Sequence, residues 1–406
     1  MSSALSWARK SAFSATPQFE PRTFTDRSLP LQNGQRRLTR AFMPGVYISF
    51  PFCSQKCTYC NFASGVMPKP LEREYLEALR SEIARHHWRF TPETVYIGGG
   101  TPSLMDAREL DSLLSAIPWR PWKEATIEVA PGTITAAGAA AWRKSGINRV
   151  SLGVQSFVND ELRRTGRRHT AEIVASEVAI LRNAGIDSIN LDLIAGLPGQ
   201  THSSWQTSLD WIELLNTPHV SVYMLEVDDD SNLGREILKG GGRYGAHDVP
   251  TDELIAEFYE NATERLKQMG IHRYEISNYA RRGAESLHNL KYWKLEPYAG
   301  FGADAHSFDG NMRSQNVEIA SDYVRAMKER GSAVAERVES NHLEERFFIG
   351  LRMMEGIHPE PGEWERFHEP IERFIDEGLL EFDGRMLRLT NQGVMLSNEV
   401  FAEFIS

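Results

Sequence analysis

Six short apolar stretches, each followed by a helical pattern, set the fold class of this chain before any single residue is considered. The stretches are Val46–Phe50, Thr94–Ile97, Thr126–Ala130, Arg149–Gly153, Ser188–Ile194 and Val220–Val227. Between and after them apolar residues recur at helical spacing, as in Leu71, Tyr75, Leu76, Leu79 and Ile83, and in Leu254, Ile255, Phe258, Tyr259, Ala262 and Leu266. A succession of β–α units calls for parallel strands, in an open doubly wound sheet or a partial barrel. The strand ends separate the two, because a β/α barrel carries its chemistry on the loops after its strands. Cys53 follows the first stretch and Gly98-Gly99-Gly100-Thr101-Pro102 the second. Glu128 and Pro131 end the third, Gln155 lies just past the fourth, and Asp192 is on the fifth, ahead of Gly196-Leu197-Pro198-Gly199. Polar or glycine-rich features at successive strand ends predict a barrel mouth that carries the site.

The first of these loops holds every cysteine of the chain, in Cys53-Ser54-Gln55-Lys56-Cys57-Thr58-Tyr59-Cys60. An odd count argues against a disulfide framework. Zinc needs a fourth ligand, and the nearest histidines, His86 and His87, fall on a predicted helix. Cys-x3-Cys-x2-Cys puts three soft thiolates on one short loop, suited to three corners of a cubane iron–sulfur cluster. An electron carrier takes four such ligands. With three, one iron keeps a position for a further ligand, as catalytic zinc does. Such a cluster requires a reducing compartment.

The triad with Tyr59 before its last cysteine resembles the radical S-adenosylmethionine (SAM) superfamily. The resemblance implies an α/β fold, a partial (β/α)6 TIM-like barrel, with a 4Fe-4S cluster on Cys53, Cys57 and Cys60 and SAM on the open iron. It also implies that Tyr47, Gly99, Gly100, Thr101 and Glu128 position SAM, the glycines at its methionine end and Glu128 at its ribose. The residues themselves allow this. Glycines let backbone approach a ligand and open their amides to an anionic group, although a glycine run is also a common turn. It lacks the Gly-x-Gly-x-x-Gly form of a dinucleotide site. Glu128, between Ile127 and Val129, needs a partner for its carboxylate, either a ligand or a neighbouring loop to cap. Gln155, Arg167 and Asp192 match further SAM-contacting positions, some of which serve a second SAM in a relative. Arg163, Arg164, Arg167 and Arg168 read as a carboxylate clamp or as an exposed charged face.

Tyr47-Ile48-Ser49-Phe50-Pro51-Phe52-Cys53, the GGGTP segment, GVQSF at 153–157 and DLIAGLPGQ at 192–200 narrow the resemblance to the oxygen-independent coproporphyrinogen III dehydrogenase family. Two positions point to its heme-chaperone, HemW-like branch. Phe62 stands where the dehydrogenases carry a fourth cysteine, and His288-Asn289-Leu290-Lys291-Tyr292-Trp293 matches the HNxxYW motif that this branch is associated with for heme. Imidazole ligates heme iron, and Tyr and Trp offer flat apolar area to a porphyrin; by itself such a stretch is also a capped turn over a core. His306 is a second candidate imidazole. Ser49 departs from the histidine usual at its position. The resemblance implies a chaperone that binds heme at His288, Asn289, Tyr292 and Trp293 and hands it to an acceptor, such as a respiratory protein, with a reductant protein serving the cluster. The alternative is a radical enzyme that oxidises coproporphyrinogen III propionates to vinyls in porphyrin biosynthesis. A tRNA-modifying radical SAM enzyme is a distant third.

Net charge settles the order of that last class. At −10 the chain offers little attraction to nucleic acid, and no apolar run approaches a membrane span. Four segments are expected: an extension at 1–43, a barrel core at 44–270, a barrel extension with HNxxYW at 271–333, and a smaller, mainly helical, winged-helix-like domain at 334–406. The extension has Arg9, Lys10, many Ser and Ala and no acid up to Gln18, and it reads as disordered, or as a transit peptide. Met43 is a second candidate start. The expected location is the cytoplasm, or the mitochondrial matrix if the extension is such a peptide. From Val334 onward the pattern reads as helical, with a hairpin signal at Asp383-Gly384.

Overall fold

The computed structural model describes residues 44–60, 63–118 and 120–405. The 1–43 extension and Phe62 lie outside the described residues. The chain alternates β1 (Gly45–Phe50), α1 (Lys69–Arg85), β2 (Thr94–Gly99), α2 (Ala107–Ser115), β3 (Glu124–Val129) and α3 (Ala136–Lys144). It continues with β4 (Arg149–Gln155), α4 (Asn159–Arg164), α5 (Ala171–Asn183), β5 (Ser188–Ala195), α6 (His202–Leu215) and β6 (His219–Met224). These six strands pair in parallel in chain order, which is the expected partial barrel. Sidechain caps from Asp106, Thr135, Thr170 and Thr201 start α2, α3, α5 and α6.

The strands alternate strictly, and this decides the character of the interior. Val46, Ile48 and Phe50, Val95 and Ile97, Ile127 and Val129, Val150 and Leu152, Leu191 and Leu193, and Val220 and Val222 belong to the main core with the helices. The other phase, which alternation turns to the opposite face, carries Tyr47, Tyr96, Glu128, Ser151, Asn190, Asp192, His219, Ser221 and Tyr223. Parallel strands buried on both faces usually read as continuous apolar runs. This barrel instead packs its oil outside and lines its lumen with polar groups.

Further strands widen the sheet on both edges. After α7 (Asn232–Leu238) and α8 (Asp252–Gln268), β8 (Asn278–Ala280) adds antiparallel to β6, and β7 (His272–Glu275) adds antiparallel to β8 at the edge. Helix α9 (Leu287–Trp293) follows, and β9 (Tyr298–Phe301) then returns parallel to β1. Beyond it lie β10 (His306–Phe308), β11 (Met312–Asn316), α10 (Ala320–Arg330) and β12 (Val334–Glu339), which completes a 12-stranded sheet.

Two sequence expectations are corrected. The sixth strand stops at Met224 instead of Val227. Residues 334–339, expected as helix, pair antiparallel with β11 as an exposed edge strand, because Val-Ala-Glu-Arg-Val-Glu has strand period and finds an unpaired neighbour. Helices begin only with α11 (His342–Phe348) and α12 (Pro361–Asp376). The hairpin β13 (Leu380–Phe382) and β14 (Leu387–Leu389), with α13 (Asn391–Met395) and α14 (Ser397–Ala402), completes this part. Met354 N–H donates to Tyr274 O at 3.0 Å and Ile276 N–H to Arg352 O at 3.2 Å, fastening it to β7.

Candidate functional site

The cysteine loop leaves β1 and is held from three sides. Cys53 N–H donates to Gly65 O (2.9 Å), Thr58 N–H to Thr165 O (3.3 Å), and Leu233 N–H to Thr58 O (2.8 Å). Gln55 Nε2 reaches Gly166 O at 2.6 Å. Cys53, Cys57 and Cys60 are all half-buried and joined by no disulfide. Burial pushes the Cys53 thiol up, against hydrogen bonds from Thr101 and Ser64 and the Arg167 charge.

Arg167 lies directly behind this loop. It donates to Gly153 O at 2.9 Å and to the Tyr59 hydroxyl at 3.3 Å. Burial works against its charge, but Tyr59 and Cys57 outweigh burial and hold the guanidinium ionised. Its basic neighbours turn elsewhere: Arg163 pairs with Asp160, Arg164 with Asp248, and Arg168 is exposed. The expected clamp therefore reduces to Arg167.

The glycine segment is bonded to the cysteine loop's root. Gly100 N–H donates to Phe50 O (2.8 Å) and Thr101 N–H to Phe52 O (2.9 Å). A Cβ on Gly100 would sit 2.7 Å from Phe52 O and 2.8 Å from Pro51 C, both backbone, so only glycine fits. Gly99 has φ +110°, and its N–H donates to Glu128 Oε2 at 3.0 Å. The expectation of amides open to an anionic ligand is corrected: these three are spent inside the protein. What the segment offers a ligand is close approach.

Of its two expected partners, Glu128 meets the neighbouring loop. It caps the glycine loop through Oε2 and accepts the Tyr96 hydroxyl at Oε1 (2.9 Å). Desolvation raises its pKa, and the Asp192 carboxylate adds to the shift. Asp192 accepts Asn190 Nδ2 (2.7 Å) and Ser151 Oγ (3.2 Å), and burial raises its pKa too. Tyr47 packs beside Tyr96, ring centroids 6.2 Å apart. Gln155 is held at φ 68° where the β4–β5 register shifts. A non-glycine residue in this region is strained, and such bulges re-aim side chains at sites.

HNxxYW lies at the other end of the barrel. His288 touches the positions of Gly45 and Thr94, the first residues of β1 and β2, and its backbone N–H donates to Glu124, the first of β3, at 2.9 Å. Its ring is fully buried, stacked on Tyr96 at 5.2 Å. Nδ1 is 2.8 Å from Thr94 Oγ1 and Nε2 2.8 Å from the Tyr292 hydroxyl. Burial, then the Lys291 charge, pushes this imidazole down to about 3, so it is neutral. Asn289 Oδ1 accepts Ser286 Oγ, Tyr292 packs on Tyr298, and Arg352 covers Trp293 at 4.6 Å. His306 is half-buried on β10. The structure thus gathers the cysteines with Arg167 and the glycine segment at the mouth, with Glu128 and Asp192 in the lumen, and sets the HNxxYW residues on the floor.

Asn190, His219, Ser221 and Tyr223 line the same lumen and were missed from the sequence. Their signal was polar residues two apart within apolar strands.

The donor set fits a cluster. Among the described residues no group of three or more His, Cys, Asp or Glu converges on a single ion. A cubane asks for the opposite, thiolates spread over separate irons, and three half-exposed cysteines on one anchored loop meet that demand.

Comparison with known proteins places this geometry. The Radical SAM superfamily profile matches residues 47–212 and the HemN C-terminal domain profile residues 339–396. The heme chaperone HemW of Bacillus subtilis is 34% identical over 386 residues, covering 89% of this chain and 99% of that protein. HemW of Lactococcus lactis is 34% identical over 372 residues, covering 88% and 96%. The mitochondrial radical S-adenosyl methionine domain-containing protein 1 of Danio rerio is 30% identical, covering 89% and 87%. The solved coproporphyrinogen III oxidase (HemN) of Escherichia coli shares the fold, with TM-score 0.77 and 21% identity over 91% of this chain and 92% of that one. With a cysteine triad at the mouth of a partial barrel and relatives matching along nearly their whole length, the chain belongs to the HemW family of radical SAM proteins.

Proposed function

We propose that this chain is a heme chaperone, taking up heme and passing it to an acceptor protein. The observation that carries this reading is the likeness to HemW proteins over nearly their full length. Cys53, Cys57 and Cys60 would hold a 4Fe-4S cluster, with SAM exchangeable at the remaining iron. When bound, the cluster supplies an electron donor with an open coordination position. Around it the chain's own residues bind and orient. Gly99, Gly100 and Thr101 would give SAM close approach; Glu128, Gln155 and Asp192 would accept its polar hydrogens; Arg167 would supply a positive charge for its carboxylate; Tyr47 walls the lumen.

Heme is cargo here, and His288, Asn289, Tyr292 and Trp293 form its receiving segment. Both His288 nitrogens are engaged, so uptake requires α9 to leave the barrel floor and free Nε2. The heme acceptor and the cluster's reductant are partner proteins. Among the described residues no helix is long and apolar enough to cross a membrane; action in the cytoplasm or the mitochondrial matrix belongs to this proposal.

The polar lumen supports a second reading, radical oxidation of coproporphyrinogen III. One experiment separates them: heme titration of the anaerobically reconstituted protein, followed by the Soret band. A saturable band at equimolar heme is the expected result. No saturable band, with SAM cleavage dependent on coproporphyrinogen III, selects the second reading.

A further inference from the structure

A buried hydrogen-bond chain joins the lumen to the barrel floor, and chemistry fixes its direction. Asn190 Nδ2 faces Asp192 Oδ1 (2.7 Å), Ser151 Oγ (2.8 Å) and Ser221 Oγ (2.9 Å), so its Oδ1 must accept from His219 Nδ1 at 2.7 Å. Burial, then the Arg149 charge, keeps His219 neutral, so a ring protonated at Nδ1 has Nε2 as acceptor. The Tyr274 hydroxyl, 2.9 Å away, donates to it. The same oxygen accepts the backbone N–H of Ser286 at 3.2 Å. Ser286 caps α9, accepting from Asn289 N–H at 3.3 Å. From the Ser286 backbone N–H onward each hydrogen of this chain therefore points toward the Asp192 carboxylate, while the Ser286 hydroxyl turns to Asn289 Oδ1; such aligned bonds polarise one another.

We propose that His219 and Tyr274 are positioning residues that couple the Asp192 carboxylate to the N-terminus of α9, so that a ligand engaging Asp192 loosens the HNxxYW segment from the barrel floor. This rests on the reading that Asp192 meets SAM and α9 receives heme. A cationic or hydroxyl-bearing ligand competes with Asn190 for the carboxylate and weakens each bond behind it. Glu124 holds the same helix end independently, accepting Leu287 N–H and His288 N–H at 2.9 Å each. Release is therefore graded.

The test is backbone amide exchange at Ser286–Asn289 in the heme-free protein, in a cycle of Asp192→Asn and Tyr274→Phe. Tyr274→Phe keeps the ring and should speed exchange about tenfold, the factor expected for one lost hydrogen bond. Asp192→Asn should speed it by a smaller factor in the parent protein and not at all in the Tyr274→Phe background. Equal effects of Asp192→Asn in both backgrounds, or none in the parent, overturn the proposal. If a variant does not fold, the parent protein decides: exchange indifferent to SAM under a saturated binding isotherm also overturns it. Heme titration is scored separately, so a failed chaperone reading leaves a positive coupling cycle standing, and the reverse.

Discussion

Tyr292→Phe should tighten heme binding. The substitution removes one oxygen and keeps the ring that packs on Tyr298 at 4.6 Å. In the closed floor that oxygen is the partner of His288 Nε2, at 2.8 Å. Its loss forfeits a buried hydrogen bond, about 1 kcal/mol net, and leaves Nε2 unsatisfied, which together come to about 1–2 kcal/mol. The penalty falls on the closed state, where Nε2 is buried; in an opened α9 water or heme iron meets it. A binder whose competent state is scarce gains affinity by the factor with which that state is enriched. Between about 1 and 2 kcal/mol the gain is roughly 5- to 30-fold. The assay is the anaerobic heme titration, with circular dichroism and thermal unfolding as controls. A folded variant whose heme affinity is unchanged or lower refutes the argument that His288 Nε2 must be uncovered for heme to bind.

Other outcomes follow from the same geometry. Cys57→Ser should abolish the cluster's charge-transfer absorbance while circular dichroism stays native; full iron content in that variant would sink the triad assignment. Gly100→Ala drives a Cβ into Pro51 and Phe52 backbone and should destabilise by about 2–3 kcal/mol, read from urea unfolding, with lower cluster occupancy on reconstitution. Glu128 has a raised folded pKa, so its contribution is present below the ordinary carboxyl range and is lost as pH rises through the folded value. Glu128→Gln should therefore be at least as stable as the parent at neutral pH, with that advantage gone in acid; SAM affinity, measured by equilibrium dialysis, should fall.

The clamp of four arginines and the open glycine amides were plausible on the chain, and in both cases partners distant in sequence took up groups counted as free. Arg164 found Asp248, and Gly100 N–H found Phe50 O. Spacing alone lists the groups a loop carries; it does not say which of them are already satisfied. The helical expectation over 334–339 failed for a related reason, since the edge of β11 captured a segment whose own pattern allowed a strand.

The sequence by itself determined the barrel and the cluster loop, because both are local. Strand and helix periods repeat within a few residues, and three cysteines within a stretch of eight residues share one loop whatever surrounds them. Only the tertiary structure decided where HNxxYW sits and what its histidine can do. His288 meets Thr94 across 194 positions, and closure of β1, β2 and β3 around it removes the water and open space that an exposed imidazole would have. The polar lumen is a product of both levels. Alternation marked Asn190, Asp192, His219 and Ser221 as one phase of their strands, but curling of the sheet turned that phase inward and made them a single connected network.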